Sequence, residues 1–142
     1  MNFFTQLLRK YNFRGKWRLV NALLKNHVKV VIPYKENTLI EVDTSELIGW
    51  NVYWNGGYEN EVMWILDYVV KKGDVAIDFG ANLGIWSLVL ASKCAEVHSV
   101  EPHPDFRAKL ENNLYINRFS NTRIHPYAIS LKEGEATLFA PP

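Results

Sequence analysis

A chain of 142 residues suits one domain, and 48% hydrophobic with 22% charged residues excludes a disordered one. A formal net charge of +1 excludes a whole-chain electrostatic case for nucleic acid, and one cysteine, Cys94, excludes an intrachain disulfide and suits the cytoplasm. No run approaches the roughly 18–20 apolar residues of a membrane span, and the short apolar run after Met1, with its charges behind it, is not a secretory signal.

In chain order, residues 1–26 are predicted helical. They carry Phe3, Phe4, Leu7, Leu8, Phe13, Trp17, Leu19, Val20 and Leu23, and eight Lys and Arg precede the first acid, Glu36. Such a basic amphipathic segment can rest on an anionic membrane surface; packing on its own domain with a solvated cationic face is the expectation. His27 to Ile32 and Thr38 to Val42 read as strands, the first stopped by Pro33. Val52 to Trp54 reads as extended, before a turn at Asn55-Gly56-Gly57. Glu59 to Val70 has helical apolar spacing at 62, 65, 66 and 69, ended by Lys71-Lys72-Gly73-Asp74.

From Val75 strand and helix alternate. Val75–Phe79, Glu96–Val100 and Thr122–Tyr127 are predicted strands, with Ala136–Ala140 as a fourth. Helices are predicted over Leu83–Lys93 and Pro104–Asn117, the second with Pro104 near its start and Asp105 in its first turn. Strands separated by such helices argue for an α/β fold with a parallel sheet. The division expected is 1–57, a basic helical and β extension, and 58–142, a partial Rossmann-like cofactor-binding domain. Trp86, Leu88–Leu90, Trp50, Trp54 and Trp64 read as packing residues, with Trp54 near enough to the turn to edge a pocket.

The chemistry concentrates in Val75-Ala76-Ile77-Asp78-Phe79-Gly80-Ala81-Asn82-Leu83-Gly84, followed by Glu101 at the end of the next strand, 21 positions after Gly80. That is about where a dinucleotide fold places its ribose-binding acid. Gly80 and Gly84 allow backbone approach and a tight turn. Asn82 holds the loop or a ligand. Asp78 disfavours a pyrophosphate at the helix N-terminus and favours the ammonium and sulfonium groups of S-adenosyl-L-methionine, whose carboxylate the turn N–H groups can hold. Asn82 also stands where a nicotinamide fingerprint has its middle glycine. His103 can flank an adenine. His27, His98, His125 and Cys94 have no metal-ligand spacing, so no metal is assigned.

These residues resemble the FkbM family of methyltransferases, from about Gly57 to Phe139. The likeness runs through Gly57-Tyr58-Glu59, Lys72 to Gly84, Glu101-Pro102 with Pro104, Leu110, Asn113, Asn117, Ala128-Ile129-Ser130 and the Gly134 turn. It implies a Rossmann-like methyltransferase fold and S-adenosyl-L-methionine as cofactor. It implies methyl transfer to an oxygen of a small-molecule acceptor, a glycan among the candidates. Asp78, Gly80, Asn82, Gly84 and Glu101 would form the cofactor site, with Glu59 closing over it and Ala128 approaching the adenine. The family continues into a fourth strand with an acidic motif, whereas this chain ends at Pro141-Pro142, so the fold reads as truncated and the catalytic base is unassigned. Without that strand Val75–Phe79 is an apolar edge that invites self-association. The rival readings are a non-catalytic remnant, a nicotinamide-binding domain and a membrane-surface protein.

Overall fold

The computed structural model describes residues 3–23 and 27–138. They divide into two compact units, Met1–Ile65 and Leu66–Pro142. Among the described residues no helix is long and apolar enough to cross a membrane.

The first unit begins with two helices, α1 (Phe3–Lys10) and α2 (Lys16–Leu23). The single helix predicted over 1–26 is broken at Gly15, whose φ of 89° is left-handed; residues 1–2 and 24–26 lie outside the described residues. An antiparallel hairpin follows, β1 (Lys29–Pro33) and β2 (Leu39–Asp43), with Val31 opposite Glu41. Next is α3 (Leu47–Asn55), closed by Gly56 in the left-handed conformation.

This helix overturns the extended reading of Val52–Trp54. Trp50, Val52, Tyr53 and Trp54 are all buried, which covers more than one face, and a helix apolar all round has no period to read. Trp54 packs edge-on against Tyr53 inside this unit.

Two of the N-terminal cations are not on a solvated face. Arg9 Nε donates to the Tyr53 carbonyl at 3.0 Å, and the Lys16 ammonium donates to the Trp54 carbonyl. Both meet the C-terminal end of α3, where unpaired carbonyls and the helix dipole favour positive charge. Burial, with Arg9 adding to it, holds the Lys16 ammonium below its ordinary pKa.

After α4 (Asn60–Val69) the second unit contains β3 (Val75–Phe79), α5 (Ile85–Lys93), β4 (Glu96–Val100), α6 (Pro104–Ile116) and β5 (Thr122–His125). The strands are parallel in the order β3-β4-β5, with Ile77 opposite His98 and His98 opposite Arg123. One sheet face is covered: Asp78, Val97 and Ser99 are buried, as are Leu88, Val89 and Leu90 of α5 and Leu110, Asn113 and Leu114 of α6. The spacing 110, 113, 114 is one helical stripe.

The opposite face carries Val75, Ile77 and Phe79, which are 63%, 56% and 62% exposed. Parallel strands are ordinarily covered on both faces, so the apolar edge expected for Val75–Phe79 is present, and bare on one face as well. Two expectations fail here. Trp64 is 77% exposed rather than packed. The predicted fourth strand has no regular structure over Ala136–Leu138, and among the described residues no strand pairs with it; residues 139 and 140 lie outside the described residues.

Candidate functional site

The candidate site is built at the carboxyl ends of β3 and β4. Both strands end in acids of low exposure, Asp78 at 7% and Glu101 at 5%. Among the described residues neither has an ion-pair partner. Asp78 Oδ2 accepts the Ser87 hydroxyl at 2.6 Å, and Ser87 Oγ lies 2.7 Å from Ser99 Oγ, a hydroxyl relay buried between β3, α5 and β4. Burial pushes the Asp78 carboxyl above the ordinary range; the bonds from Ser87 act against that, and the charge of Glu101 adds to it.

Glu101 organises the glycine turn. Its Oε2 accepts the Asn82 N–H and its Oε1 the His103 N–H, each at 2.8 Å. It therefore ties the turn after β3 to the entry of α6. Each carboxylate oxygen has two acceptor positions and uses one here, so capacity remains for two hydroxyl donors. Arg107 lies close by, but its Nη1 donates to the main-chain carbonyls of Glu101 and Pro102, not to the carboxylate.

The turn differs from expectation in one respect. The Gly80 and Ala81 N–H groups both donate to the Val100 carbonyl, Asn82 to Glu101, Leu83 to Asn82 Oδ1 and Gly84 to the Ala81 carbonyl. All five are engaged within the chain, so in this conformation they do not hold a ligand carboxylate. Asn82 accordingly holds the loop, with its own backbone left-handed at φ 50°.

The two glycines are not equivalent. Gly80 has φ 76° and open space where a Cβ would stand, which leaves room for a ligand against the backbone. Gly84 has φ 95°, and a Cβ there would meet Leu110 Cδ1 at 2.7 Å, so it serves packing between the turn and α6.

Asp78, Gly80, Asn82, Gly84 and Glu101 are thus gathered in one cluster. Ala128 is not part of it. It is exposed and lines a recess of about 920 Å³ bounded by Pro102 and residues 126–138. Asp78, Gly80, Asn82 and Gly84 do not line that recess, and its nearest link to the cluster is Pro102, beside Glu101. The buried acids stand at the strand ends, whereas this recess is walled by irregular chain. Glu59 belongs to the first unit, at the entry of α4 with φ 50°. His103 caps α6, its Nδ1 accepting the Asp105 N–H at 3.2 Å. Among the described residues no group of three or more metal-ligating side chains exists.

Ser87, Ser99 and Asn113 are structural members that the sequence does not single out by role. Asn113 is fully buried, and its Nδ2 donates to the Leu83 carbonyl at 2.8 Å, anchoring the turn to α6. Alternation offers a signal for Ser99 alone: it falls in phase with Val97 and Glu101, on the strand face that meets the helices. Asn113→Ala is expected to cost about 1–3 kcal/mol by leaving that carbonyl without its donor. Chemical denaturation checks it, as a lower midpoint at unchanged slope.

No family model matches the chain, and no curated protein matches it. Solved structures do. TYW2 of M. jannaschii, crystallised in complex with AdoMet, is 17% identical with a TM-score of 0.55, over 70% of this chain and 43% of that one. Trm5b from Pyrococcus abyssi is 20% identical with a TM-score of 0.55, over 70% of this chain and 28% of its own. The M. jannaschii tRNA m1G37 methyltransferase is 17% identical with a TM-score of 0.54, over 73% and 31%. The likeness establishes the Rossmann-like fold of methyltransferases. The chain spans less than half the length of each of these proteins.

Proposed function

We propose that this chain is the cofactor-binding part of an S-adenosyl-L-methionine-dependent methyltransferase. The observation that carries the reading is the pair Asp78 and Glu101. Two buried acids, with no ion-pair partner among the described residues, stand at adjacent strand ends beside an open glycine; burial raises the proton affinity of Asp78 and the charge of Glu101 adds to it. A cationic ligand relieves that repulsion, whereas a pyrophosphate would add to it. Asp78 would face the ammonium or sulfonium side of the cofactor, and Glu101 would accept two ribose hydroxyls with its remaining positions. Gly80 would leave room for the ligand. The cofactor supplies an electrophilic methyl group when bound.

The acceptor we favour is a small-molecule hydroxyl, a glycan among the candidates, following the FkbM resemblance. Glu59 and Ala128 enter the reading through that resemblance alone. One matched structure is named as a tRNA methyltransferase, which makes RNA the second reading. The second unit holds eight Lys and Arg against nine Asp and Glu, which gives it no cationic excess for a phosphate backbone.

Calorimetric titration of the whole chain with S-adenosylhomocysteine tests the proposal. Saturable binding is expected, with no competition from NAD; a folded chain that gives no heat, or that NAD protects instead, refutes it. Asp78→Asn supplies a signed prediction. With its folded-state pKa raised, Asp78 contributes stability that is complete below the ordinary aspartate range and is lost as the pH rises through the raised value. An asparagine in its place has no such loss, and its amide can donate to Ser87 Oγ, which then donates to Ser99. Asp78→Asn is therefore expected to be at least as stable at neutral pH, with a flatter stability–pH curve in thermal melts. It should bind S-adenosylhomocysteine about tenfold or more weakly, or about 1.4 kcal/mol. Wild-type affinity should fall as the pH drops, because the ligand then has to displace a proton.

A further inference from the structure

On the sheet face opposite α5 and α6, two imidazoles meet edge to edge. His98 Nδ1 lies 2.9 Å from His125 Nε2, with ring centroids 5.1 Å apart and planes only 21° apart. That centroid distance is close to the N–N distance plus two ring radii. The nitrogens therefore point at each other roughly within both ring planes, the geometry of an N–H···N hydrogen bond rather than of a face-to-face stack. Such a bond needs one imidazole nitrogen with a free lone pair.

Among the described residues, two charged side chains are recorded beside the pair. On β4, Glu96 Oε1 lies 3.4 Å from His98 Nε2; on β5, Arg123 Nε lies 3.0 Å from the same oxygen. The neighbour on β3 is Ile77, which carries no charge, and the register puts Asp78 on the other face. Glu96, shared with Arg123, is the one carboxylate recorded against the pair among the described residues. A second proton on the pair removes the acceptor and sets two cations side by side next to Arg123.

The pair also bears on the candidate site. His125 is the last residue of β5, and its carbonyl accepts the Glu101 N–H at 3.0 Å. Pro126 and Tyr127, the next residues, line the recess.

We propose that the His98–His125 bond is a proton-sensitive clamp holding the end of β5 against β4 at Glu101, closed while either imidazole is neutral and opened when acid protonates both. The inference does not depend on which ligand the site binds. The stabilisation is present at neutral pH and lost as the pH falls.

The test uses the whole chain with ¹⁵N-labelled histidine. A through-hydrogen-bond coupling between the two nitrogens is expected near neutral pH and is expected to vanish on acidification, once both rings carry a proton. Over the same pH change the Arg123–His125 and Glu101 amides should lose protection from hydrogen exchange, on the order of tenfold after correction for intrinsic rates. The loss should be absent in His98→Phe and His125→Phe. A missing coupling, protection that stays flat in the wild type, or an equal loss in both variants overturns the proposal. Should the variants not fold, the wild type decides: coupling and protection that fade at the same pH support the clamp, and fading at different pH values refutes it.

Discussion

Glu101→Ala is expected to lower the unfolding free energy by about 2–4 kcal/mol, because it strips the acceptor from two half-buried main-chain donors at once, each costing about 1–2 kcal/mol, the lower part of the range for a buried unsatisfied group. The donors are the Asn82 and His103 N–H groups, so the loss loosens both the glycine turn and the entry to α6. Glu101→Gln keeps one oxygen and should lose about half as much. Chemical denaturation of the three proteins measures the difference. Equal stability of wild type and Glu101→Ala would mean that the carboxylate does not hold the turn. The same pair separates structure from ligand binding. At a temperature where Glu101→Gln is fully folded, a lost response to S-adenosylhomocysteine reports on the ligand, since the scaffold remains in place.

Gly84→Val is expected to cost about 2–6 kcal/mol, as the sum of two terms. A left-handed backbone costs a non-glycine residue about 1–3 kcal/mol, most for a β-branched one. Forcing a side chain into a packed core costs about 1–3 kcal/mol more. Both apply here: φ is 95°, and the new Cβ would meet Leu110 Cδ1 at 2.7 Å, with Leu110 fully buried. Gly80→Ala is the contrast, since its φ is 76° but the space is open. It should carry the backbone term alone, about 1–2 kcal/mol, while obstructing a ligand laid against the turn. Thermal melts of both variants compare the terms. A Gly84→Val protein as stable as Gly80→Ala would mean that α6 can move away from the turn.

Both predictions depend on residues already prominent in the sequence, but for reasons the sequence does not contain. Gly80 and Gly84 look alike in a motif; only the packing of Leu110 separates the glycine that faces space from the one that faces a helix. Glu101 reads as a ligand-binding acid from its distance to Gly80, yet its carboxylate bonds to the protein's own backbone at Asn82 and His103. The turn N–H groups read as a ready anion site, and the fold directs them to Val100, Glu101, Asn82 and Ala81. The expectations that fail lie in other parts of the chain, and each has a physical cause. Val52–Trp54 lies in a helix buried on several sides, which erases the period that identifies helices. Trp64 is apolar by type and exposed by placement. Ala136–Leu138 has strand-like composition and, among the described residues, no strand paired with it.

What the sequence determined by itself is the set of local decisions. These are the alternation of strand and helix from Val75 onward, the parallel sheet it implies, the turn between β3 and α5, and the gathering of Asp78, Gly80, Asn82, Gly84 and Glu101 at strand ends. Each follows from side-chain period, backbone freedom or chain reach, properties carried by neighbouring residues. The tertiary structure alone decided what touches what across the chain. It joined Ser87 to Asp78 and Ser99, and Asn113 to Leu83. It paired His98 with His125, turned Arg9 and Lys16 toward the end of α3, and left Val75, Ile77 and Phe79 bare. Those outcomes depend on which buried polar groups find partners once the elements pack, and residues far apart in the chain settle that together.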